Sequence, residues 1–533
     1  MHVPTRLLYL SAFQETDLDF QLIESVDLPR YPCLKYATLS HCWGDVPESA
    51  PWKTTTANLH LHRERIEHKS MTKTFRDAVR ICRALGIEYL WIDSLCVIQD
   101  SQEDWEQEAG LMGNVYMGSL INLAACASRD GQGGCRREFH NSGRTDASRY
   151  YDLDINGTKF RLFESRPLSW DDTYDTTHLH ERGWVVQERE LAPRAVRYCK
   201  DILLWECKTS KASSELPWFE MRSKDQEPDL LFNSLADAEP YDDSLANPFY
   251  KSLDISPTSK ALGMRHYWFG LVEEYSAKLL SRESDRLAAL DGLAQASSDP
   301  IKGLYLAGIW REEMPSALLW RIVVSAEKHG RHHNDLQSRK IPSWSWASAD
   351  YGVTYDSQRS WIAHNVHDNG QRVQRECDFK SFSIRDAEIR KRTHNRTSEI
   401  LGGSLHCSGL IFRLTVGEIM EQYLWANQFI SVCSDDGSTV GILYPDTAVS
   451  RCEIRHIFFT PVRSELEGFD GVQLPSDVSS LLDSTDYTRG PMCMGIGMIP
   501  ISSIGQKYRR VGLLRFVRIE ALQEKPVVDF EIV

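Results

Sequence analysis

No run in this 533-residue chain approaches the roughly 18 consecutive apolar residues that a membrane-crossing helix needs, so no helical span is expected. The opening MHVPTRLLYLSAFQETD carries an apolar patch too short for a signal-peptide core, and acid follows it rather than small residues. No route to the secretory pathway is expected, and the sequon Asn395-Arg396-Thr397 is read as irrelevant. There is no Cys-x-x-Cys pair and no Cys/His ladder. The 13 cysteines are an odd number scattered along the chain, which argues against a disulfide scaffold or a structural zinc site and for reduced thiols in cytosol or nucleus. A basic excess is also missing. A formal net charge of −14 argues against non-specific binding to nucleic acid or to an anionic membrane surface. Internal repeats are absent, and so is a Walker A loop.

What is present is ordinary globular composition, 42% hydrophobic and 26% charged, over a length that calls for two or three domains. The most telling stretch is LGIEYLWIDSLCVIQDSQEDWEQEAGLM, residues 85–112. An apolar run ends abruptly at Asp93, a short polar loop follows, and Trp105, Glu108, Ala109 and Met112 then recur at helical spacing. Strand, polar loop and helix is how an open α/β sheet places ligands outside the carboxyl ends of its strands.

Short strands are expected over 5–12, 19–26 and 36–44, then a polar loop over 45–72 and a helix over 74–85 stopped by Gly86. Strands at 88–93 and 120–127 flank a helix from Ser101, a plausible cap, to about Gly118, with Glu103 and Asp104 in the acid-favouring first turn. A strand near 159–164, a helix over 181–191 and a hairpin around Lys200-Asp201 follow. Helices alternating with strands predict an α/β domain over 1–210 with a mostly parallel sheet flanked by helices. Residues 211–263 read as an acidic linker or surface excursion, 264–350 as a helical region with periodicity running to about residue 325, and 351–533 as a β-rich C-terminal module.

Three blocks mix polar and aromatic residues inside buried-looking elements. In the first, Ser40-His41-Cys42-Trp43-Gly44-Asp45, a strand end running into glycine lets backbone N–H groups approach a ligand; a tight turn with a packed tryptophan explains it equally well. His41 and Cys42 are strand neighbours facing opposite ways, which speaks against a direct Cys/His pair. In the second block, Asp93 can accept hydrogen bonds from a ligand or cap its own loop, and Cys96 is either a nucleophile or a small buried residue. Glu108 one turn from Trp105 can have its pKa raised by desolvation and act as acid or base; it can equally be exposed over a packed indole. In the third, Arg182-Gly183-Trp184-Val185-Val186-Gln187-Glu188, Trp184, Gln187 and Glu188 share a helix face. Arg182 at that helix start can grip phosphate or pair with Glu188.

Together, and in this order, the three blocks closely resemble the fungal HET (heterokaryon incompatibility) domain. The resemblance covers roughly residues 30–210 and rests on Tyr36–Gly44, on Tyr89–Gln99 with Asp104-Trp105, Glu108-Ala109 and Met112, and on Arg182–Glu188 with Ala192-Pro193-Arg194. Ser284–Leu287, Leu306–Trp310 and Ile341–Trp346 resemble segments that follow the domain in long members. The resemblance implies a cytoplasmic fungal protein that triggers growth arrest or cell death when unlike hyphae fuse. It implies a TIR-like or flavodoxin-like fold, and some TIR domains cleave NAD with a glutamate. On that reading Glu108 and Asp93 are the catalytic candidates, while Cys96 is the candidate nucleophile, with Cys42, on the alternative below. Ser40, His41, Cys42, Trp43, Trp105, Arg182, Trp184, Gln187 and Glu188 bind a nucleotide, with NAD as substrate. The alternative is a stand-alone HET-fold enzyme acting on a small metabolite in fungal secondary metabolism, with cysteine or glutamate as its catalytic group. A third reading leaves the blocks holding the fold while the β module binds a protein partner or a second copy of the chain. No metal is expected.

Overall fold

The computed structural model describes residues 3–13, 18–28, 34–44, 50, 52–135, 150–155, 158–163, 170–200, 202–207, 210–214, 257–301, 303–323, 340–349, 351–355, 382–393, 397–421, 428–435, 437–446, 456–465, 492–501, 506–518 and 525–533. Asp45, residues 215–256 of the expected acidic excursion, and Asn395 lie outside that set. The chain divides into two compact units, 1–253 with 279–281 and 288–296, and 254–278 with 282–287 and 297–533.

The first unit begins with β1 (Arg6–Tyr9), β2 (Gln21–Glu24) and β3 (Tyr36–Ser40). Next come α1 (Leu59–Glu64), α2 (Lys73–Ala84), β4 (Tyr89–Trp91), the single turn α3 (Asp93–Cys96), α4 (Gln102–Gly118) and β5 (Ile121–Ala124). A separate hairpin, β6 (Tyr150–Ile155) and β7 (Thr158–Phe163), precedes α5 (Trp170–Asp175), α6 (Gly183–Leu191), β8 (Arg194–Tyr198), β9 (Leu203–Cys207) and β10 (Lys211–Ser213). Ser101 caps α4 by accepting the Asp104 N–H at 3.3 Å, with Glu103 and Asp104 in the first turn. Thr72 caps α2 in the same way. The stretch 45–72, read from sequence as loop, holds α1 within its described part.

Eight strands form one sheet in the order β10-β9-β8-β5-β3-β4-β1-β2. The expectation of a mostly parallel sheet is corrected here. Pairings β3–β4, β3–β5 and β5–β8 are parallel, whereas β1–β2, β1–β4, β8–β9 and β9–β10 are antiparallel. The sheet is mixed because short returns add hairpin strands at both sides of a parallel centre, and only the longer helical crossovers leave strands parallel. Taken in chain order, the four parallel strands lie second-first-third-fourth, the doubly wound arrangement in which successive connections diverge between the first and third strands. Here that point falls between β3 and β5. Every residue of β3 and β5 is buried, the polar Thr38, Ser40 and Asn122 among them, as expected of central strands covered on both faces. Gly113 of α4 meets Gly292, and a Cβ on Gly113 would stand 2.6 Å from the Gly292 Cα.

The second unit contains α7 (Pro257–Ser276) and the end of α8 (Ala288–Ile301). Residues 304–325 do not continue the helical periodicity. The described part forms β11 (Tyr305–Leu306), β12 (Ile309–Trp310) and β13 (Arg321–Val323), because Ala307 and Gly308 adopt positive φ of 45° and 92° and turn the chain back. A Cβ on Gly308 would also collide with the Trp346 indole at 2.6 Å. β14 (Gly352–Thr354) pairs with β13. The C-terminal part is all β: β15 (Ser383–Lys391), β16 (Ile400–Gly409), β17 (Phe412–Glu421), β18 (Gln428–Cys433), β19 (Thr439–Pro445), β20 (His456–Glu465), β21 (Met492–Pro500), β22 (Lys507–Arg518) and β23 (Val528–Ile532). Pairings β17–β18–β19–β22–β21–β20 return to β17, closing an antiparallel barrel. Its core alternates along the strands, Phe412 and Leu414, Ile430 and Val432, Ile457 and Phe459, as one inward face requires. The barrel is therefore filled by side chains. Strands β23, β16 and β15 extend the sheet from β22.

Candidate functional site

The three sequence blocks arrive at the carboxyl ends of β3 and β4 and at the start of α6. Register carries the first two there: Tyr36 pairs with Tyr89 and Thr38 with Trp91 in parallel, so Ser40–Trp43 and Asp93 emerge at the same edge. The Trp43 indole N–H donates to the Asp93 carboxylate at 2.9 Å. His41 Nδ1 lies 3.8 Å from the other Asp93 oxygen, and its ring packs edge-on against Phe75 at 4.9 Å. His41 is 4% exposed. Burial drives its pKa down to about 4 against the pull of Asp93, so the imidazole is neutral at physiological pH. Gly44 closes the block with φ +68°, and a Cβ there would meet the Asp130 Cβ at 2.5 Å.

Arg182 brings in the third block. It precedes α6, and its guanidinium donates to the His41 carbonyl. One α6 turn further, Glu188 is 4% exposed and sits within the field of Arg182, with the Ser40 hydroxyl and the Tyr116 phenol hydrogen-bonded to it. Its Oε2 has no hydrogen-bond partner. Burial raises this carboxyl to about 7, and the nearby Asp93 charge pushes the same way while Arg182 and Ser40 oppose it. A carboxyl poised near neutrality can both hold and release a proton, which is what general acid–base work requires. Asn122 completes the floor: it accepts from Thr38 and Ser40 at 3.2 Å each and donates to Ser40 at 3.0 Å.

The structure thus brings together Ser40, His41, Trp43, Asp93, Arg182 and Glu188. It places other sequence candidates elsewhere. Glu108 faces Arg6 of β1, whose Nη2 is 3.9 Å away, and Thr5. Arg6 is itself held by Asp104 at 2.5 Å and 2.6 Å and by the Cys96 carbonyl at 2.7 Å. Glu108 is 2% exposed, and burial raises its pKa. Cys96 is fully buried with its thiol pushed up to about 12 by desolvation. Cys42 turns away from His41 into an apolar cluster with Tyr174, Leu179 and Val185, and burial raises its thiol too. High thiol pKa values speak against either cysteine as a nucleophile. Gln187 is buried and accepts the Gly292 N–H at 2.8 Å, clamping α8 to α6. Trp105 and Trp184 meet edge-to-face at 6.4 Å, both half-buried.

Tyr116, Asn122 and Arg6 were not among the sequence candidates. An asparagine inside an otherwise apolar strand run was a usable signal for Asn122, since a buried amide needs partners. Nothing local marks Arg6. Among the described residues no group of His, Cys, Asp and Glu is arranged to hold a metal ion, and no helix is long and apolar enough to cross a membrane.

Compared with known proteins, no curated protein and no solved structure matches the chain. The family model described as Heterokaryon incompatibility protein (HET) matches residues 36–188, from the first residue of β3 to Glu188. The matched segment contains every residue of the cluster at the sheet edge, so this part of the chain is similar to the heterokaryon incompatibility family.

Proposed function

We propose that this chain is an effector of fungal non-self recognition whose HET domain binds a nucleotide at the carboxyl edge of its parallel strands and hydrolyses NAD there. The observation that carries the reading is the convergence of Ser40 and Trp43, of Asp93, and of Arg182 with Glu188, from three separate blocks, beside the point where the β3 and β5 connections diverge. Ligands in doubly wound sheets sit outside such a point. The second-first-third-fourth strand order also agrees with the flavodoxin-like arrangement that the TIR resemblance implies.

In this reading Glu188, rather than Glu108, faces the ribosyl carbon. The N-glycosidic bond breaks, nicotinamide leaves with the bonding electron pair, and the Glu188 carboxylate stabilises the cation that develops. Water then adds to the ribosyl carbon and gives its proton to Glu188. Arg182 answers the negative phosphates, and Trp43 orients Asp93 through its indole hydrogen bond. The test is to incubate the full-length protein with NAD and measure free nicotinamide by chromatography from acid to neutral pH. Release that Glu188→Gln abolishes and Glu108→Gln retains supports the assignment. Release lost in Glu108→Gln but kept in Glu188→Gln moves the chemistry to the Arg6 site. No release from the wild-type protein removes the chemistry and leaves only the similarity of residues 36–188 to the HET family.

A further inference from the structure

Cys126 and Cys199 stand just past the ends of two adjacent parallel strands, β5 and β8. The β5–β8 ladder pairs Ala124 with Arg197; just past it the Cys126 N–H turns back to the Ala124 carbonyl at 3.0 Å and the Ala127 N–H donates to the Tyr198 carbonyl at 3.0 Å. That bond brings the cysteines near each other, because Cys126 precedes Ala127 and Cys199 follows Tyr198. Both thiols are free, both enter one apolar cluster with Cys42 and Leu204, and they hydrogen-bond to each other. A single buried cysteine is adequately explained as a small hydrophobe. Two that share one cluster and hydrogen-bond to each other form a candidate dithiol.

We propose that Cys126 and Cys199 form an oxidation site that closes to a disulfide on exposure to a peroxide. Cys199 reacts first. It borders the β8–β9 turn and is 5% exposed, whereas Cys126 is wholly enclosed. The hydrogen bond from Cys126, helped by the Arg197 charge against the cost of burial, holds the Cys199 thiol below its ordinary value, which favours the reactive thiolate. Cys199 Sγ attacks one peroxide oxygen, the O–O bond breaks, and the departing hydroxide takes a proton to leave as water. Cys126 Sγ then attacks the sulfenic sulfur, the S–O bond breaks, and a second water departs. Two thiols lose two electrons and two protons, and the peroxide accepts both electrons. The new bond pins β8 to β5 within the cluster that Cys42 lines, next in sequence to His41.

The experiment is peroxide treatment of the full-length protein, alkylation of remaining thiols under denaturing conditions, and peptide mapping by mass spectrometry. The expected product is a Cys126–Cys199 cross-linked peptide lighter by two hydrogens, abolished by dithiothreitol. It should persist in Cys42→Ser and disappear in Cys199→Ser, which leaves Cys126 alkylated. The mapping on wild-type protein decides the matter even if a variant fails to fold. Cross-links through Cys42, oxidation of Cys199 to sulfinic acid without a disulfide, or full alkylation of both residues would each overturn the proposal.

Discussion

The Arg182 guanidinium donates to the backbone carbonyl of His41, a residue 141 positions earlier in the chain. One bond thereby ties the start of α6 to the loop leaving β3 and sets Glu188 over Ser40. Replacing Arg182 by alanine strands the half-buried carbonyl and removes the cation facing Glu188. The expected cost is about 1–3 kcal/mol of stability, read by urea denaturation. Arg182→Lys should recover only part of it, since an ammonium lacks the planar fork of donors. An Arg182→Ala protein as stable as wild type would show that the tie does not hold the site.

Two groups of the site impose opposite pH dependences. Glu188 is raised from 4.5 to about 7 in the folded protein, so the folded state binds the extra proton and stability falls as pH rises from about 4.5 to 7. His41 is lowered from 6.5 to about 4, so the unfolded state binds the extra proton and stability rises from about pH 4 to 6.5. Each contributes on the order of 3 kcal/mol across its window, and in the wild type they largely offset. Glu188→Gln should therefore reveal a rise in stability between about pH 4 and 6.5. His41→Asn should reveal a fall between about pH 4.5 and 7. Chemical denaturation at stepped pH measures both, and parallel profiles for wild type and the two variants would sink the assignment.

Arg6 is 5% exposed and is the cation against both Asp104 and Glu108. Arg6→Ala leaves those carboxylates facing each other without compensation, at an expected cost of about 3–5 kcal/mol. Glu108→Gln removes a buried carboxyl whose pKa burial raises, and should keep or raise the melting temperature. A marked drop in that temperature would mean that Glu108 contributes to the fold through its charge.

Gly113 and Gly292 touch backbone to backbone, and a Cβ on Gly292 would stand 2.7 Å from the Gly113 Cα and 2.5 Å from the Gln187 Oε1. Gly292→Ala should lower stability by about 1–3 kcal/mol through overpacking, although alanine is the better helix former. A calorimetric melting temperature equal to or above wild type would show that α4 and α8 part at no cost.

Much of the first unit was legible in the residues. Apolar runs marked β4 and β5, Ser101 announced the start of α4, and the hairpin of β8 and β9 lies where it was expected. The mixed character of the sheet was not legible, because a strand of four or five residues carries no mark of its neighbour's direction. The helical reading of 304–325 failed at Ala307 and Gly308, where two positive φ angles break a periodicity that hydrophobicity alone suggested.

Glu108 and Glu188 show where local pattern ends. Both are helical glutamates near a tryptophan and a few residues from an apolar face, and their neighbourhoods in the chain look alike. Sequence determined the three blocks, their order and the strand and helix ends on which they sit, since those depend on contacts within a turn or two. Only the tertiary structure decided which glutamate joins Asp93 and Arg182. Arg6, pairing with Asp104 98 positions later, claims the face of α4 that carries Glu108, while α6 lays Glu188 across the junction of β3 and β5. A buried carboxyl takes its charge state from whatever cation folding brings beside it, and that cation lies far along the chain.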